Sequence, residues 1–320
     1  MDCKQVRSTA SQENQLEPLR AHATPQRPWR LGGTAALALP GPCTSLPLYR
    51  WLAAALLVLA VAAPRRAQAV EPLRYDLRVD IPVTAVATAG WLTSELFKDR
   101  LARQTCQWCD SVPAVDTSVR NALKWQDTAA PNTWSNVTGF ALSPLLALGG
   151  VALAAQQEGA LGNAGIDMLI VAEATALAAD LNQIVKFAVG RERPFVHALA
   201  AADKGKTAHP ADNNMSFYSG HTNLVFALAV SSGTVASMRG YRWAPAVWGS
   251  GLAMAATTGY LRIAADKHYF TDVMLGAVTG SAIGFAVPYF LHRGSGGGAV
   301  PAVSGSMGTT GGGLSVAWGW

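Results

Sequence analysis

Three short clusters, spread over fewer than ninety residues, hold the side chains best suited to chemistry: Lys186 with Arg193-Pro194, then Ser219-Gly220-His221, then Arg262, His268 and Asp272. Lys186 and Arg193 stand seven apart, two turns of a helix, so the spacing predicts both cations on one face near a helix end. Pro194 disfavours helical geometry at Arg193 and should stop the helix there. Two cations at such a point make a receptor for a dianion, or else a pair that snorkels or meets ordinary carboxylates at a membrane surface.

Ser219-Gly220-His221 sits where a polar loop gives way to an apolar run. Backbone N–H groups at a helix start lack partners and suit phosphate oxygens. Gly220 permits close approach, the Ser219 hydroxyl can donate a further bond, and His221 can move a proton near neutral pH. The plainer alternative is a helix cap followed by an incidental histidine. His268 and Asp272 are four apart, neighbours on a helical face. A carboxylate there can hold one imidazole nitrogen and leave the other free to attack, while Arg262 can grip two anion oxygens with its fork. A surface His–Asp pair is the alternative for that cluster.

The elements that must position these groups are strongly apolar. Half of the residues are hydrophobic and 14% are charged, against about 25% in an average soluble protein. That balance points to a membrane protein or a very apolar helical bundle. The net charge of +5 comes without a dense basic block, so nucleic-acid binding has little support. From Asp80 onward six apolar segments alternate with polar loops, approximately 81–97, 137–155, 166–189, 222–238, 244–261 and 273–291. Their lengths exceed those of strands and their Gly and Ser positions suit close helix packing. The second, fourth, fifth and sixth lack charges over a length just sufficient to span a bilayer. The third carries Glu173 and Asp180, which must face the bundle interior.

Residues 1–48 lack periodicity and read as disordered or as a spurious extension. Residues 49–69 have a basic flank, an apolar run and Ala67-Gln68-Ala69, the parts of a cleaved signal peptide, with an uncleaved anchor or a chance apolar stretch as alternatives. The helical domain then covers 70–293, and 294–320 is a Gly-rich tail whose last residues could form a strand. Cys106 and Cys109 have no second Cys or His pair nearby to complete a zinc site, so a loop disulfide in an oxidising compartment is expected.

The order Lys-x6-Arg-Pro, Ser-Gly-His, Arg-x5-His-x3-Asp resembles the signature of the phosphatidic acid phosphatase type 2 / vanadium haloperoxidase superfamily, over roughly 135–292. The resemblance implies an all-α, six-helix bundle, membrane-embedded, that acts as a phosphoric ester hydrolase without a cofactor or catalytic metal. It implies His268 as the nucleophile that forms a phosphohistidine, Asp272 as its orienting group and His221 as the acid and then the base. Lys186, Arg193, Ser219, Gly220 and Arg262 would bind the phosphate, and Arg191 is an extra contact without motif support. Tyr218 and Leu261 replace the family's usual proline and serine. The implied substrate is a lipid phosphate such as phosphatidate, phosphatidylglycerophosphate or a polyprenyl diphosphate. The alternatives are a periplasmic acid phosphatase on small esters, a vanadium-dependent haloperoxidase, and a non-catalytic membrane protein. The expected location is a bacterial-type inner membrane with a periplasm-facing site, or the periplasm itself; the oligomeric state is left open.

Overall fold

The computed structural model describes residues 70–109, 112–294, 302–308 and 311–317. Seven helices of eight residues or more are found among them: α1 Leu77–Leu96, α2 Ala114–Leu123, α3 Ala129–Gln157, α4 Ala164–Val189, α5 Gly220–Met238, α6 Ala244–Ala264 and α7 Phe270–Leu291. Six correspond to the apolar segments, so the all-α bundle holds. The seventh, α2, lies inside the stretch read as a polar loop. The segments read as an extension and a signal peptide lie outside the described residues.

The organising element is α5. It is apolar on all sides, a pattern shared by membrane spans and by the core helix of a large bundle. Here 15 of its 19 residues are buried, because α3, α4, α6 and α7 pack around it. Enclosure by these four neighbours makes α5 the core helix of the bundle. Helix α7 presents Gly276, Gly280 and Gly284, spaced four apart, to α5. A Cβ at any of them would strike the backbone near Ser219, Asn223 or Ala227. That lets the two backbones approach closely and fixes the start of α5 against the start of α7. Two described helices are long and apolar enough to cross a membrane, Ala129–Gln157 and Phe270–Leu291.

Helix α4 ends differently from the expectation. Gly190 takes φ +60° and its N–H bonds the Lys186 carbonyl, a left-handed stop that glycine adopts without steric cost. Arg193 lies beyond it in extended chain, before the short turn Pro194–His197. Lys186 and Arg193 thus do not share a helical face. After the bundle, β1 Ala302–Gly308 and β2 Gly311–Ala317 pair antiparallel, Ala302 opposite Ala317, so the tail forms a hairpin where at most a strand was expected.

Candidate active site

The ends of α4, α5 and α6 and the loop before α7 converge on one cavity of about 470 Å³. Lys186, Arg193, Gly220, His221, Arg262 and His268 all line it. Lys186, Arg193 and Arg262 are 8%, 6% and 4% exposed, and among the described residues none has a carboxylate within ion-pair distance. Arg262 donates to Asn132 Oδ1 at 3.1 Å and Ser135 Oγ at 3.0 Å, but its buried Nε has no partner among the described residues. Buried cations are costly unless compensated. Three of them around one hollow, with a donor left over, make a seat for an anion.

His268 sits in this seat. Its Nδ1 lies 2.8 Å from the Ser216 carbonyl; since a carbonyl only accepts, Nδ1 carries the proton and Nε2 keeps the lone pair. Nε2 lies 3.5 Å from Arg193 Nη1. Burial first, then the charges of Arg193, Arg262 and Lys186, hold the imidazole well below its ordinary pKa. The ring is therefore neutral with a free electron pair at physiological pH.

Asp272 does not hold His268 directly, a correction to the expected pair. Its Oδ2 is 3.8 Å from Nδ1, because His268 precedes α7 while Asp272 caps its first turn. Asp272 instead accepts from Ser216 Oγ at 2.6 Å, the Tyr269 N–H at 3.0 Å and Arg191 Nη1 at 2.6 Å. It fixes Ser216, whose carbonyl fixes His268. Arg191 likewise departs from its expected role. It does not line the cavity; 2% exposed, it bridges Asp272 and Asp116 between the rings of Trp108 and Tyr269, 4.3 and 4.2 Å from the centroids. Trp108 belongs to the turn closed by the Cys106–Cys109 disulfide, and that turn bonds the backbone at Gly190 and Glu192.

Ser219 is also reassigned. It is fully buried and its Oγ accepts from the Thr222 hydroxyl at 2.9 Å and the Thr222 N–H at 3.4 Å, so its hydroxyl caps α5 rather than lining the cavity. The free helix-start N–H groups remain the useful part of that cluster. Gly220 leaves room for Lys186: a Cβ there would lie 2.7 Å from Nζ. His221 lies with Nε2 2.8 Å from Asn136 Oδ1 and its ring against Phe140. On the cavity wall, Asp212 pairs with Lys98 at 3.0 Å. Burial raises its pKa, but Arg193, Lys98 and Lys186 outweigh that and hold it at about 2. Leu261, in place of the usual serine, is buried and does not line the cavity.

Asp116, Ser216, Asn132, Ser135 and Asn136 escaped the sequence reading. The one signal available was α2 itself, an amphipathic stretch with Asp116 in its first turn.

A helical bundle that gathers three buried cations with His221 and His268 around one hollow defines an anion-binding centre with a poised imidazole. Residues 167–295 match the family model of the PAP2 superfamily. Among curated proteins the chain is similar to phospholipid phosphatase 2 of Rattus norvegicus, 26% identical over 128 residues, covering 34% of this chain and 46% of the relative. The Homo sapiens counterpart is 26% identical over 129 residues, with 34% and 45% covered. The matched region spans less than half the length of these relatives. A solved structure titled as a transmembrane PAP2 type phosphatidylglycerolphosphate phosphatase from Bacillus subtilis aligns at 16% identity and a TM-score of 0.32, covering 76% of this chain and 96% of that one.

Proposed function

We propose that this protein is a membrane-embedded phosphatase that hydrolyses a lipid phosphate through a phosphohistidine. The observation that carries the proposal is the neutral Nε2 of His268 beside Arg193, in a cavity that Lys186 and Arg262 also line. The phosphate's non-bridging oxygens sit among those three cations and the N–H groups at the start of α5. His268 Nε2 attacks phosphorus and a P–N bond forms. The P–O bond to the alcohol breaks, and His221, which takes up a proton from water once the phosphate dianion is seated beside it, gives that proton to the departing oxygen. His221, now neutral, takes a proton from water as that water attacks phosphorus; the P–N bond breaks and inorganic phosphate leaves. The cations stabilise the charge that builds on the equatorial oxygens in each step.

A lipid tail is favoured by the rest of the cavity, where Trp91, Phe140, Ala179 and Leu224 supply apolar wall. Large apolar side chains are exposed on α1, α3, α4 and α7, with Val86 72%, Leu145 68%, Ile184 65% and Phe290 71% exposed. Such surfaces suit lipid rather than water. The site is proposed to face the periplasm, the side on which the Cys106–Cys109 turn can oxidise.

Purified protein in detergent, assayed against phosphatidate, phosphatidylglycerophosphate, a polyprenyl diphosphate and small soluble esters, tests the reading. Lipid phosphates should be hydrolysed preferentially, in EDTA, with inhibition by vanadate, and His268→Ala should be inactive yet folded. Substantial turnover by His268→Ala, or activity restored only by magnesium, overturns it.

A further inference from the structure

Far from the cavity, Asp80 of α1, Glu173 of α4 and His292, the residue after α7, come together. Glu173 precedes Lys186 by thirteen residues on α4, about 20 Å of helix, so this cluster is separate from the phosphate seat. The three are 7%, 3% and 2% exposed, and one ligand atom of each lies within 4.8 Å of the others. We propose that Asp80, Glu173 and His292 bind a small divalent cation with mixed nitrogen and oxygen donors, zinc or manganese in type, that fastens α1, α4 and the end of α7.

The geometry of His292 carries the argument. Its Nδ1 is 3.0 Å from the Arg74 carbonyl, an acceptor only, so Nδ1 donates its proton there. In a neutral ring the lone pair of Nε2 then faces Glu173 Oε2, 3.2 Å away. Two acceptors face each other, and something positive must lie between them. An imidazole whose outer nitrogen bonds a backbone carbonyl while the inner one meets carboxylates is the usual arrangement of a metal-bound histidine. The separation also fits: bonds of about 2.0–2.1 Å at a tetrahedral angle put two ligand atoms about 3.3 Å apart.

Charge distinguishes a metal from a proton. Among the described residues no lysine or arginine forms an ion pair with Asp80 or Glu173. A protonated His292 would leave the buried group with a net negative charge, whereas a divalent cation brings it to neutrality. Asp80 Oδ2 accepts only the Asp76 N–H among the described residues, and the hydrogen bond of Glu173 there uses Oε2. Each carboxylate therefore has an oxygen left for a cation, with water completing the shell.

The experiment uses tag-free, full-length protein in detergent, stripped with a chelator, desalted, then exposed to zinc, manganese or magnesium salts. Bound metal is counted by plasma mass spectrometry and thermal unfolding is followed in parallel. Wild type should keep about one equivalent of zinc or manganese through a second desalting, with a melting temperature that rises with metal concentration. His292→Ala and Glu173→Gln should lose both the metal and the rise; Asp80→Asn serves where His292→Ala does not fold. If wild type retains no more metal than these substituted proteins do, and gains stability on acidification instead, the proposal is overturned in favour of a protonated His292–Glu173 pair. Metal retained equally by wild type and all three substituted proteins overturns it as well.

Discussion

Replacing Asp116 with asparagine tests whether His268, the proposed nucleophile, is held in place from outside the three clusters. Asp116 is fully buried and accepts from Arg191 Nη2 at 2.8 Å, the Thr271 N–H at 2.8 Å and the Thr271 hydroxyl at 2.7 Å. In Asp116→Asn one oxygen survives to accept the Thr271 N–H, but an amide donor now confronts the Arg191 guanidinium. Removing one partner of a buried ion pair costs about 3–5 kcal/mol. Arg191 keeps Asp272, so the lower end of that range applies. The catalytic effect is separate. Arg191 holds Asp272, Asp272 holds Ser216, and the Ser216 carbonyl holds His268 Nδ1. A loosening of about 1 Å at the imidazole costs about 10²-fold in rate. The expected result is therefore a kcat lowered about 10²-fold with KM little changed, because the cavity cations are untouched, together with a lowered melting temperature. Steady-state kinetics on the folded fraction, with unfolding measured alongside, decides. A protein that is less stable but retains wild-type kcat would refute the positioning chain, and Asp116 would be structural alone.

Two further outcomes are expected. Gly220→Ala places a methyl 2.7 Å from Lys186 Nζ and 2.8 Å from Asn182 Oδ1, so Lys186 must withdraw; KM should rise about tenfold, the effect of losing roughly one hydrogen bond to a charged group, with little change in thermal stability. The second concerns pH. Burial, Arg193, Arg262 and Lys186 hold His268 below its ordinary pKa, so its neutral form persists as pH falls through the usual imidazole range. The acid limb of kcat/KM should not titrate with an ordinary histidine pKa, and Arg262→Gln should move that limb upward as one depressing charge is lost. An acid limb that stays in place in Arg262→Gln would contradict the assignment of His268 as nucleophile.

Much of the scaffold was legible because long apolar runs broken by polar loops have few other solutions. Lys186, Arg193, Gly220, His221, Arg262 and His268 line the cavity, whereas Ser219, Asp272 and Arg191 do not. What escaped reading shares a physical cause. Arg191 meets Asp116 and Asp272 across 75 and 81 residues of chain, and no periodicity encodes a pairing at that distance. The Asp272–His268 spacing suggested a helical neighbour, but α7 begins only at Phe270, so the i, i+4 rule did not apply. The end of α4 was readable: a glycine after an apolar run is a familiar stop, and Pro194 drew attention away from Gly190. Apolar composition alone could not separate α5, enclosed by its neighbours, from a helix whose surface meets lipid.

The superfamily match begins at residue 167, yet Asp116 steadies Arg191, Asn132 and Ser135 hold Arg262, and Asn136 receives His221. Part of the bracing of the proposed catalytic groups is thus encoded ahead of the matched stretch, while Arg191, Ser216 and Asp272 lie within it. Anyone trimming the protein to its recognisable portion would carry over the proposed reactive side chains and leave Asp116, Asn132, Ser135 and Asn136 behind. Chimeras joined near residue 70, ahead of α1, should keep turnover, while those joined near residue 160 should bind anions and turn over poorly.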